Sequence, residues 1–162
     1  MSTSRSVRRV VTGHDADGKA VIASDEQVDP ITLALVPGTD FYRVWGADAP
    51  PQFPDDGSPL TQHDYYPPPG GFRFGLFTVA PDSMARLEDL DMEAAFAELD
   101  EKLPGLASHL EADNPGFHRT ASVDYEFVVS GRCVLELDDG ASVELGPVSY
   151  THPEPTRQDR IA

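Results

Sequence analysis

One cysteine, Cys133, stands in 162 residues. A lone thiol cannot close an internal disulfide, and it has no neighbours at the spacing of a zinc cluster, so neither staple holds this chain together. It is expected to serve as core filler. Cations are also scarce, 12 lysines and arginines against 28 acidic residues, for a formal charge of -16. Such a field repels phosphate backbones and anionic lipid, which argues against nucleic acid and membrane surfaces as partners. No apolar stretch approaches the roughly 18 residues of a membrane span. The basic opening MSTSRSVRRVVTG is not followed by a signal-type apolar run. The expected setting is therefore the cytoplasm. No glycine-rich phosphate loop precedes a helix, and no dinucleotide fingerprint occurs.

What is present is mostly strand signal. Residues 7–12 and 19–23 are β-branched runs around HDADG, where Asp and Gly accept the dihedrals that reverse a strand. A hairpin is predicted. DADG resembles the start of a calcium loop, yet the later acidic positions and the closing Glu are missing. ITLALVP alternates, placing Ile31, Leu33 and Leu35 on one face, and FYRVW at 41–45 also suits a strand. From Asp48 to Gly70 the chain holds seven of its 15 prolines, each removing a ladder donor, so a long surface loop is expected there. GFRFGLFTVA then resumes strand character, with Phe72, Phe74 and Leu76 sharing a face.

One helix is predicted over 91–103. Met92, Phe96, Leu99 and Leu103 recur at helical spacing, Asp91 can cap the start, and Pro104-Gly105 ends the run. Ten acidic residues between 82 and 113 read as a solvated face. Beyond it, Val123–Ser130, Cys133–Leu137 and Ala141–Leu145 read as strands joined by turns at Ser130-Gly131-Arg132 and Asp138-Asp139-Gly140. Short antiparallel strands at close spacing point to an all-β barrel or jelly roll with a peripheral helix.

Chemistry concentrates in HRTASVDYEFVVSG, from His118 to Gly131. Residues two apart on a strand share a face, so His118, Thr120, Ser122 and Asp124 form one polar row and Val123, Tyr125, Phe127 and Val129 an apolar one. Imidazole and carboxylate together can exchange protons or ligate a first-row metal. A histidine beside a strand can equally be an ordinary hydrogen-bonded structural residue. A hydrolase triad from His118, Ser122 and Asp124 is disfavoured, because strand neighbours two apart stand roughly 6.5 to 7 Å from one another. Tyr65-Tyr66, with Trp45, can wall off a flat ligand or simply fill loop space.

The segment resembles the first motif of the cupin superfamily, His-x-His, a short spacer, Glu, six residues, Gly. His118 stands at the first His, Thr120 at the second, Asp124 at the carboxylate and Gly131 at the closing turn. Two of three ligand types thus differ. HRT, the spacer and Asp-Tyr, with VRRVVTGHDADGKAV and VWGAD, are similar to an OryJ/VirC-like branch of small cupins associated with tailoring of fungal metabolites, over roughly residues 1 to 147.

The resemblance implies a cupin-type antiparallel barrel over 1–147 that holds a small organic molecule. It also implies catalysis by His118 and Asp124, on a divalent metal (Fe, Mn, Ni or Zn) or without one. Thr120, Ser122, Tyr125 and Glu126 would line the ligand site, and the intact parent would form a homodimer. The activity would be an oxidoreductase, decarboxylase or isomerase; the alternative is a metal-free binding or interaction cupin. After Pro147 the second motif expected of such cupins does not follow. VSYTHPEPTRQDRIA is expected to be a non-native or disordered tail, leaving the barrel incomplete, with His152 poorly placed to serve as a missing ligand.

Overall fold

The computed structural model describes residues 6–81, 90–111, 113, 117–151 and 157–158. Its first unit is the predicted hairpin, longer than the β-branched runs alone suggest. β1 (Val7–His14) pairs antiparallel with β2 (Ala20–Val28). The reversal is made by Asp15, whose Oδ1 accepts the backbone N–H groups of Asp17 and Lys19 at 2.9 Å each, with Gly18 at φ +76°. An Asx turn therefore occupies the stretch that resembles a calcium loop.

The second unit is a three-stranded sheet, β3 (Ile31–Thr32), β4 (Asp40–Ala47) and β5 (Phe72–Phe77), with β4 in the middle. The long strand expected at 31–37 shrinks to two residues. Its alternation still holds in effect, since Leu33 is buried and Ile31 and Leu35 pack beside it. The proline-rich stretch between β4 and β5 forms no strand, and ties itself down through backbone bonds such as Asp48 N–H to Thr61 O and Tyr65 N–H to Pro104 O.

Helix α1 (Met92–Lys102) starts at Asp91, whose carboxylate accepts the Ala94 N–H at 3.1 Å. The buried stripe is not the one the spacing suggests. Leu99 is 1% exposed and Ala95 and Leu103 are buried, while Met92 and Phe96 remain 41% and 43% exposed. Two polar residues account for the rotation. Glu98 accepts the Ala34 N–H at 2.8 Å and Lys102 donates to Thr32 O at 2.8 Å, clamping that face of the helix to the turn after β3. Leu99 and Leu103 then meet Leu33 and Leu106 to make the central apolar cluster. Of the acidic segment, Asp82, Glu88 and Asp89 lie outside the described residues, and Glu93, Asp100 and Glu101 are exposed.

After a 3-10 turn at Ala107–His109 the strands become short: β6 (His118–Arg119), β7 (Glu126–Phe127), β8 (Cys133–Glu136), β9 (Ser142–Leu145), β10 (Tyr150–Thr151) and β11 (Arg157–Gln158). β8 and β9 form the predicted hairpin, turned by Asp139 and Gly140 at φ 58° and 75°. The strand expected over Val123–Ser130 is reduced to β7, whose ladder covers two residues and is followed by Val128, which bonds the backbone of Val148 and Ser149. The partner of β7, β10, and the partner of β6, β11, both come from the segment after Pro147. His152 lies outside the described residues.

The protein is thus strand-rich, antiparallel and supplied with one helix. Among the described residues its strands form separate two- and three-stranded sheets rather than a closed barrel. No helix among them is long and apolar enough to cross a membrane.

Candidate functional site

A cavity of about 850 Å³ lies between the β3–β4–β5 sheet, the aromatic end of the proline-rich loop and the 118–126 segment. Its floor is the apolar cluster, including Leu33, Leu99 and Leu106. Its aromatic wall holds Trp45, Tyr65, Tyr66 and Phe72. Its polar wall holds His118, Ser122, Asp124 and Glu126.

The polar wall exists because alternation survives where the ladder does not. From residue 118 to 128 the even positions are half-buried and the odd ones exposed, so His118, Thr120, Ser122, Asp124 and Glu126 turn inward together. The apolar row turns outward, and Tyr125 is 74% exposed, stacked on Tyr150 with ring centres 6.3 Å apart. Tyr125 still borders the cavity; Thr120 does not line it.

A bend at Ala121 and Ser122 brings side chains closer than a straight strand allows. Ser122 Oγ lies 3.0 Å from both Thr120 Oγ1 and Asp124 Oδ1. A serine has one hydroxyl proton, which the carboxylate takes, so the Thr120 hydroxyl donates to Ser122. This relay corrects the expectation that neighbours two apart are too distant to connect. Thr120, outside the lining, acts on the site by orienting Ser122 and through it Asp124.

Tyr66 organises the far side. Its ring stacks on His118 at 5.4 Å and 21°, meets His109 edge-on at 4.8 Å, and meets Tyr65 edge-on at 5.0 Å. Tyr65 in turn packs edge-on against Phe41 at 6.2 Å. The pair lines the cavity and fills space against the core cluster. His109 is held by its Nδ1 on Arg119 O at 2.6 Å.

Burial pushes the Tyr65 phenol up to about 12, with Asp124 adding to the rise, Arg43 opposing it and Glu126 adding again. Tyr66 is raised too, chiefly by burial, then by Tyr65, Asp124 and Glu126. Both phenols are neutral hydrogen-bond donors at physiological pH. Cys133 is half-buried, and burial followed by Glu126 raises its thiol.

Arg43 and His109 were given no role by sequence reasoning. Arg43 sits inside an apolar strand run, where a single charged residue is the only signal to notice. It lines the cavity, and its Nη2 donates to the carbonyls of Gln62, His63 and Asp64 at 3.4, 3.3 and 3.1 Å.

As a metal centre the donor set is thin. His118 and Asp124 supply two donors, and the Thr120 hydroxyl is bonded to Ser122. Among the described residues no three His, Cys, Asp or Glu side chains gather as a metal site requires. The described residues alone do not supply the donor set of the metal that the cupin resemblance implies.

No protein-family model matches the chain, and no curated protein is significantly similar to it.

Proposed function

We propose that this chain is a cupin-type protein that takes a small, largely apolar organic molecule into the cavity and binds it without a metal. The observation that carries the reading is the cavity itself. Its volume of about 850 Å³ falls in the range of small-molecule sites, and aromatic groups on one wall face a few convergent polar groups on the other. The jelly-roll architecture belongs to the same proposal, supported by the antiparallel strands and by the motif from His118 to Gly131.

In this reading the ligand's flat part lies against Tyr65, Tyr66 and Trp45, and its polar part meets His118 and Asp124. The Thr120–Ser122–Asp124 relay fixes the carboxylate as an acceptor, so a ligand hydroxyl or amine is the natural donor to it. The second reading is catalytic, with His118 exchanging a proton with the bound molecule while Asp124 orients it. It is favoured by the placement of both side chains on one cavity.

The test is calorimetric titration with 2-naphthol, in chelator and again with Fe(II), Mn(II), Ni(II) or Zn(II). Quenching of Trp45, the chain's one tryptophan, locates the ligand. Binding unchanged by chelator and weakened several-fold by Asp124→Asn is expected. A stoichiometric transition metal in the purified protein, with binding that disappears on its removal, would overturn the metal-free reading.

A further inference from the structure

Every arginine whose side chain is described pairs with a carboxylate, except one. Arg8 meets Asp25, Arg9 meets Glu26, Arg73 meets Asp48, Arg119 meets Glu111 and Arg132 meets Glu144. Arg43 pairs with none, in a chain that carries 28 acidic residues. It is half-buried on β4 and lines the cavity, and only Nη2 is engaged, by backbone carbonyls. Its Nε and Nη1 make no hydrogen bond among the described residues. Burial first, and then the neighbouring Arg73, weaken its hold on the charged form. Asp48, Tyr65 and Asp64 act in the opposite sense, but Asp48 is already matched to Arg73, so among the described residues no carboxylate is in ion-pair contact with Arg43.

Opposite charge borders the same cavity, since Asp124 and Glu126 line it together with Arg43 and Tyr65. The Tyr65 phenol feels all three, Asp124 and Glu126 raising it and Arg43 lowering it. A second anionic group on a ligand would be repelled by the two carboxylates, whereas a hydroxyl would be accepted.

From this polarity we infer that the cavity selects an aromatic carboxylic acid bearing a hydroxyl group. The ligand's carboxylate sits on Nε and Nη1 of Arg43, its ring against Tyr65 and Trp45, and its hydroxyl donates to Asp124. The inference rests on the cavity being a ligand site, as proposed above, and adds which class of molecule it takes. Arg43 is the specificity-determining residue. A planar guanidinium fork offers a carboxylate two parallel bonds, which a neutral amide cannot match.

The experiment uses the full chain and three probes, 6-hydroxy-2-naphthoate, its neutral amide and 2-naphthol, with affinities read by calorimetry. The naphthoate is expected to bind at least about tenfold tighter than the amide, the scale of a hydrogen bond to a charged group. Arg43→Gln, which keeps an N–H for the backbone carbonyls, should erase that difference by weakening the naphthoate more than the amide; Arg43→Lys should retain part of it. Equal affinities for naphthoate and amide on the unaltered protein would overturn the assignment of Arg43 while leaving the cavity reading in place, and that comparison needs no variant to fold. Failure of all three probes to bind would overturn both.

Discussion

Leu99→Ala is the substitution on which the described architecture has most at stake. Leu99 is 1% exposed and sits among Leu33, Leu103 and Leu106, at the floor of the cavity. Removing three carbons forfeits about 2.4 kcal/mol of transfer free energy at roughly 0.8 kcal/mol per methylene. The void left behind adds to this, though less than in a sealed core, because it opens onto a cavity that water already reaches. The total is about 3 kcal/mol, toward the lower end for buried leucines. At a urea slope of about 2 kcal/mol per molar, the unfolding midpoint should fall by about 1.5 M. Phe96→Ala is the control. Its ring is 43% exposed, and its loss should cost about 1 kcal/mol, less than half as much as Leu99. Helical spacing puts both residues on one apolar stripe, whereas the clamp of Glu98 and Lys102 onto the turn after β3 separates them. Urea titrations followed by far-ultraviolet circular dichroism measure both. Equal losses would mean that the helix is not rotated as described.

Two further outcomes follow from local chemistry. Of the five tyrosines, Tyr65 and Tyr66 should titrate last, and Asp124→Asn should bring both back toward the ordinary value, as read from tyrosinate absorbance. Because the folded phenol of Tyr65 holds its proton to about 12 while the unfolded one loses it near about 10, stability should be untouched below that lower value and decline as pH rises between the two. A tyrosinate curve with a single ordinary midpoint would contradict the burial of this pair. Asp91→Ala removes the carboxylate that accepts the Ala94 N–H, and should destabilise the protein by about 1 kcal/mol in thermal melts, with Asp91→Asn losing less.

Elements built from neighbours along the chain were legible in advance. The hairpin at HDADG, the capped helix and its end, the proline-rich loop and the turn at Asp138-Asp139-Gly140 each depend on dihedral preference or on a side chain bonding a backbone group a few residues away. The inward row from His118 to Asp124 was legible for the same reason, since extended backbone alternates its side chains even outside a ladder. Strand lengths were not. Apolar alternation over 31–37 and 123–130 shows a preference for extended chain, but a strand exists only where a partner supplies hydrogen bonds. Here the partners reach two residues each.

The candidate site divides along the same line. Residue types and parity in one short segment determined that an imidazole, two hydroxyls and a carboxylate would share a face. Only the tertiary structure decided what they face: an aromatic wall from a loop some fifty residues earlier, and Arg43 on a strand with no local mark of function. It also decided the rotation of the helix, through bonds from Glu98 and Lys102 to residues 64 and 70 positions away. Local order follows from backbone sterics, which each stretch of sequence carries within itself. A site's chemistry depends on which charges and rings lie within a few ångströms, and chain separation says little about that.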